Sequence, residues 1–169
     1  MFFLTDLERK LTLHPSYFTP TLNEYLSSLL RQTVEGTCAG STGYIIAVLG
    51  TDPPAPGLIM QGSAEFVLKF RAIVYRPFKG EVVDAIVSNL NKMGIFANVG
   101  PVTCFISTHL IPPDFKFDPN SNPPSFLSAD DGSRIEKASK IRLKIVGTRV
   151  DATEIFAIGT IKEDYLGPI

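Results

Sequence analysis

The alternation of apolar and polar residues divides the chain into a series of extended segments and one helix. Over residues 2–13, Phe3, Leu7, Leu11 and Leu13 share one register, the pattern of a strand with one buried face, and "HPSYF" ends it in a short turn. In "TPTLNEYLSSLLRQTVEG" the period changes: Leu22, Tyr25, Leu26, Leu29, Leu30 and Thr33 follow i, i+3, i+4, i+7 spacing, which predicts an amphipathic helix. Thr21 and Glu24 are spaced for a capping box, and Gly36 is the expected stop. Tyr44 to Leu49 reads as a short apolar strand and Ala64 to Arg76 as a long one. In the long strand Phe66, Leu68, Phe70, Ala72 and Val74 point one way, and Glu65, Lys69, Arg71 and Tyr75 the other. One helix on one face of this small sheet leaves a second face with Val67, Ile73 and Tyr75. That face packs within its own monomer or takes a partner, either the second domain or another chain.

Pro77 and Gly80 interrupt the run "AEFVLKFRAIVYRPFKGEVVDAIV", so two strands meet there at a joint. After it, Val82, Val83, Ile86 and Val87 suit a curved strand with parts of both faces covered. Strands are expected at 81–88, 94–99 and 102–106, then a helical turn near His109, then strands at about 140–149 and 154–161. Five short strands with a helical turn after the third is the order of an OB fold. Two connections stand out. "GTDPPAPGLIMQGS", Gly50 to Ser63, carries the apolar run Leu58, Ile59 and Met60, which either tucks onto the sheet edge or docks on another surface. "DPNSNPPSFLSADDGSRIEKAS", Asp118 to Ser139, is too long and polar for a simple turn, and its composition predicts mobility more than chemistry.

Composition narrows the function classes. Of 169 residues 44% are hydrophobic and 20% charged, the profile of a folded chain with enough apolar side chains for a core. No apolar run approaches the about 18 residues a spanning helix needs, and "MFFLTDLERK" lacks the charge pattern of a signal peptide, so a soluble intracellular protein with no membrane contact is expected. A formal net charge of −1 argues against a generally basic nucleic-acid binder. Yet Arg134, Lys137, Lys140, Arg142, Lys144 and Arg149 are offset within their own stretch only by Glu136, which allows a local basic patch. Cys38 and Cys104, far apart in sequence, are expected to be buried apolar residues and not a disulfide or a metal site.

Catalytic chemistry finds few candidates. His14 and His109 are turn residues with no second histidine at ligand spacing, Cys104 lies inside the apolar "VTCFI", and Asp130 and Asp131 sit in the polar connection. No Walker loop, G-x-G-x-x-G or G-x-S-x-G occurs, and neither catalytic residue, metal nor cofactor is predicted. Nucleic-acid binding has more support. Alternation over 140–146 puts Lys140, Arg142 and Lys144 on one face while Ile141, Leu143 and Ile145 enter the core. Such a stripe tracks a phosphate backbone or merely solubilises the barrel, and Phe96 and Phe105 stack bases or fill the interior.

"GEVVDAIVSNLNKMGIFANVGPVTCFIS" resembles the S1 motif, an RNA-binding OB-fold repeat, with Gly80 and Val82, then Met93, Gly94, Ile95 and Phe96, then Phe105, Ile106 and Ser107 in its positions. Met93 stands where the motif has an aromatic residue and Phe105 where it has histidine; Phe96 matches. Over essentially the whole chain, "MFFLTDLERKLTLHPSYF", "GSAEFVLKFRAIVYRPFKGEVVD", "DPNSNPPSF" and "IGTIKEDYLGPI" resemble the RNA polymerase II subunit seven family. The resemblance implies an α+β truncated RNP-like domain with a docking tip at 1–78 and an all-β, five-stranded OB domain at 79–169. It implies a noncatalytic polymerase subunit in the nucleus, paired with subunit four in a stalk near the RNA exit. Leu58, Ile59, Met60 and Gly62 would then dock at the base of the clamp of the polymerase core. Phe96, Met93, Phe105, Lys140, Arg142 and Lys144 would meet nascent single-stranded RNA. The alternative is a free-standing OB-fold RNA-binding protein of translation or RNA decay.

Overall fold

A computed structural model describes residues 1–169, which form two compact units, Met1–Arg76 and Pro77–Ile169. The first contains strand β1 (Phe2–Leu13), helix α1 (Leu22–Val34) and strands β2 (Tyr44–Thr51), β3 (Leu58–Met60) and β4 (Ser63–Tyr75). Long β4 is the centre of an antiparallel sheet with β1 on one side and β2 on the other, and β3 folds back on the start of β4 as a hairpin. The period-2 pattern decides which face is inside. Phe66, Leu68, Phe70, Ala72 and Val74 of β4 join Leu11 and Leu13 of β1 and Leu26, Leu30 and Val34 of α1 in one core. Tyr75, expected outside, is buried at the strand end against the edge of Phe2, ring centroids 5.0 Å apart.

The capping box is absent. Thr21 has φ −91° and ψ 17°, not the extended geometry of a capping residue, and its hydroxyl is 3.0 Å from that of Thr19. Gly36 closes the helix region as expected, with φ +78° and its N–H donating to Ile45 O at 2.7 Å. Cys38 is half-buried where burial was expected, because it lies in an isolated bridge to Tyr44 just outside the sheet.

The second unit holds β5 (Val82–Asn91), β6 (Gly94–Val99), β7 (Val102–Ser107), β8 (Phe115–Asp118), β9 (Ser125–Ser128), β10 (Arg134–Glu136), β11 (Lys140–Val150), β12 (Ile155–Thr160) and β13 (Gly167–Pro168). The order β12-β7-β6-β5-β11 closes through β11–β12 pairing into a five-stranded barrel, with a 3-10 turn at Thr108–Leu110 after its third strand. This is the expected OB order, with β12 parallel to β7. Ile95, Ile106, Ile141, Leu143, Ile145 and Ile155 fill its interior. Two glycines are steric necessities: a Cβ on Gly94 (φ +154°) would lie 2.1 Å from Ile106 O, and one on Gly159 would lie 2.8 Å from Cys104 Sγ. Parts of both faces of β5 were expected to be covered; the inward face is, with Ala85, Val87 and Leu90 buried, while Val82 and Ile86 on the other face are exposed.

The connection expected to be mobile is folded. Together with Phe115–Phe117 it forms the antiparallel sheet β10-β9-β8, in which Ile135, Phe126 and Phe117 pair in one row. Phe126 and Ile135 are buried, and buried Ser128 donates its hydroxyl to Asp114 Oδ2 at 3.1 Å. Three- and four-residue strands with one inward apolar residue each carry no detectable period, which is why composition misled. No helix is long and apolar enough to cross a membrane.

Candidate nucleic-acid and partner interfaces

On β6 and β7 the inward residues are Ile95, Ala97, Cys104 and Ile106, so Phe96 and Phe105 point out of the barrel. They are direct cross-strand partners, half-buried, with ring centroids 4.8 Å apart. Neither ring is needed to fill the core, and the pair presents an aromatic surface to solvent. Met93 lies 69% exposed in the turn before β6, its N–H donating to Asn91 Oδ1 at 2.8 Å. The thiol of Cys104 is fully enclosed, and burial pushes its pKa up to about 12, which keeps it an inert apolar group.

Lys140, Arg142 and Lys144 do lie on one outward face of β11, but the charge there is largely compensated. Arg142 donates two hydrogen bonds to Asp84, Nε to Oδ1 at 2.7 Å and Nη2 to Oδ2 at 3.1 Å, and this pairing holds the Asp84 carboxyl below the usual carboxylate range. Lys144 Nζ donates to both carboxylate oxygens of Glu163, at 3.0 and 2.8 Å. Arg134 is 3.3 Å from Glu136. In the closed barrel β5 lies between this stripe and Phe96, and β12 between it and Phe105, so the two groups are not on neighbouring strands.

The first unit offers two other surfaces. Leu58, Ile59 and Met60 form β3 of the hairpin, opposite Glu65, Ala64 and Ser63, and all three are exposed, Ile59 to 78%. Gln61 and Gly62 turn the chain with φ of +44° and +82°, the paired positive φ of a two-residue hairpin turn. The run does not fold back into the core, and Ala64 is its one apolar cross-strand partner. On the sheet face away from α1, exposed Phe2 and Leu4 stand beside Tyr75 and Ile73. The same face turns polar farther along, where Arg71 is held bidentately by Asp6 at 2.8 and 3.3 Å.

Sequence reasoning missed the carboxylates Asp84 and Glu163, which are 58 and 19 residues from their cationic partners. It also missed Phe156 and Ile158, which are exposed on β12 because Ile155 and Ala157 alternate inward; the alternation in "IFAI" was the available signal. His14 Nδ1 accepts from Ser16 N in an exposed turn, and no cluster of His, Cys, Asp and Glu has the makings of a metal site.

Comparison with known proteins finds two family matches. Residues 76–158 match the S1 RNA binding domain, and residues 8–63 match the SHS2 domain found in the N terminus of Rpb7p/Rpc25p/MJ0397. The "DNA-directed RNA polymerase II subunit rpb7" of Schizosaccharomyces pombe is 57% identical over 173 residues, covering 98% of each chain. The protein of that name from Glycine max is 50% identical, over 100% of this chain and 97% of its own. That from Saccharomyces cerevisiae is 47% identical with complete coverage of both.

Proposed function

The chain belongs to the RNA polymerase II subunit seven family, and on that premise we propose that it serves in the nucleus as a noncatalytic subunit of the polymerase. It pairs with subunit four, inserts the β3–β4 hairpin at the base of the clamp, and offers the outer face of the barrel to single-stranded RNA leaving the enzyme. The observation that carries this reading is the hairpin. Three consecutive exposed apolar side chains on a well-formed turn are costly to leave in water, and docking removes them from it. The apolar end of the sheet face, with Phe2, Leu4 and Ile73, supplies the subunit-four surface.

RNA is held weakly and without sequence preference. Phe96 and Phe105 stack bases, Met93 adds apolar contact at the turn, and Lys140, Arg142 and Lys144 attract phosphates, the last two by exchanging a carboxylate for a phosphate. Coexpression with subunit four tests the pairing. Co-elution as a one-to-one complex in gel filtration, lost on Leu4→Asp and retained on Ile59→Asp, is expected. A complex indifferent to Leu4→Asp overturns the surface assignment.

A further inference from the structure

On the core side of the first sheet, Phe3 of β1 is the cross-strand partner of Val74 of β4, and Arg76 follows just beyond the strand end. The loop between α1 and β2 closes on this end. Ala39 N–H donates to Gly43 O at 2.8 Å and Gly43 N–H to Gly40 O at 3.2 Å, so the segment is a compact turn. Its close approach depends on Gly43, which has φ +115° and on which a Cβ would lie 2.5 Å from Tyr75 O. A side chain there would push the turn off the sheet.

The turn and the sheet enclose a cleft of about 340 Å³, lined by Phe3, Leu4 and Val74, by the hydroxyl residues Thr5, Ser41 and Thr42, and by Arg76. Arg76 is its one charged lining residue, so the cleft favours an anion. The guanidinium is held in place: Nη1 donates to Ser41 O at 3.1 Å, and its carbon lies 5.4 Å from the centroid of the Phe3 ring. A cation fixed in this way loses little freedom when an anion arrives. The trough on the face away from α1 is different, because Asp6, Glu8, Asp52, Lys69 and Arg71 line it with both signs and Asp6 occupies Arg71.

We propose that this cleft binds an organic phosphate monoester, the phosphate on Arg76 and the hydroxyls of Thr5, Ser41 and Thr42, the apolar body against Phe3, Leu4 and Val74. Four donor side chains outnumber the two oxygens of a carboxylate and suit the three of a phosphate, and the planar fork of arginine matches that group. The assignment is independent of the hairpin and RNA readings. Leu4 is the one residue it shares with the subunit-four surface.

The test is titration of the 15N-labelled full chain with phenyl phosphate in about 0.15 M salt, followed by amide chemical shifts. Saturable shifts centred on residues 3–5, 40–43 and 74–76 are expected, with inorganic phosphate about tenfold weaker for want of an apolar body. Arg76→Gln should weaken binding about tenfold or more. Thr5→Val, which leaves the contact between Arg76 and Ser41 intact, should weaken it about fivefold. Unchanged thermal melts show that both variants fold. A phosphoserine peptide separates the sources: tighter binding than phenyl phosphate supports a phosphorylated protein segment, weaker binding a small phosphate monoester. Absence of saturable shifts at these residues, or shifts indifferent to both substitutions, overturns the site. Phenol acting as strongly as phenyl phosphate overturns the anion, and inorganic phosphate binding as tightly overturns the monoester in favour of a bare ion.

Discussion

The connections Gly50–Ser63 and Asp118–Ser139 each carry three prolines, yet the first leaves its apolar run in solvent and the second buries Phe126 and Ile135. In the second, Phe126 and Ile135 come one per strand and meet in a row with Phe117 just ahead of the connection, so a single face of a three-stranded sheet shelters them. In the first, Leu58, Ile59 and Met60 are consecutive, so alternation sends them to both faces of a short hairpin, and no single packing surface covers them. Apolar residues spaced for one face build their own core, whereas an unbroken apolar run on a two-strand ribbon waits for a surface from elsewhere.

The largest effect separates the two regions by stability. Ile135→Ala or Phe126→Ala should cost about 2–5 kcal/mol in urea unfolding, while Ile59→Ala should stay within about 0.5 kcal/mol of wild type. Equal costs would erase the distinction. Next comes association: Leu58→Asp or Met60→Asp should weaken binding to the polymerase core by about 2 kcal/mol or more, with subunit-four pairing and unfolding midpoint preserved. Loss of both associations, or of neither, would contradict the division of labour. Gly62→Val probes the shape of the hairpin. A Cβ added there meets nothing within 4 Å, but φ +82° strains a β-branched residue by about 1–2 kcal/mol, and core association should fall accordingly.

The smallest effect concerns charge on the barrel. Asp84→Asn releases Arg142, which should steepen the salt dependence of RNA binding without altering the core. The same pair sets an acid limit. Hydrogen bonding from Arg142 lowers the Asp84 pKa in the folded chain, so its contribution is complete above the ordinary value of 3.8 and is lost as pH falls through the lowered one. Urea midpoints measured down the acid side should therefore decline less in Asp84→Asn than in wild type. An identical decline would mean that the pair contributes nothing, an outcome typical of many exposed ion pairs.

Much of this molecule is legible in local pattern. The period of two in "EFVLKFRAIVY" and "KIRLKI", and the period of 3.6 in "LNEYLSSLL", placed strands and helix because one covered face is all such segments need. Closure of the barrel followed from strand order. Side-chain pairing between distant positions was not legible: nothing in "KIRLK" announces that Asp84 and Glu163 neutralise two of its cations. Nor did spacing reveal that Thr21 turns to Thr19 and not to the helix, since capping depends on backbone dihedrals that composition leaves open. Phe156 was readable in principle, but an outward phenylalanine on the barrel's last strand looks like core until its neighbours Ile155 and Ala157 are known to be inside.

The most direct test of the account is affinity purification of the tagged chain from nuclear extract, wild type beside Leu58→Asp, with quantitative mass spectrometry of what co-elutes. The account predicts that the wild type brings down subunit four and the polymerase II core in stoichiometric amounts, and that Leu58→Asp brings down subunit four alone. Recovery of the wild type by itself, or with RNA and no polymerase, would contradict it.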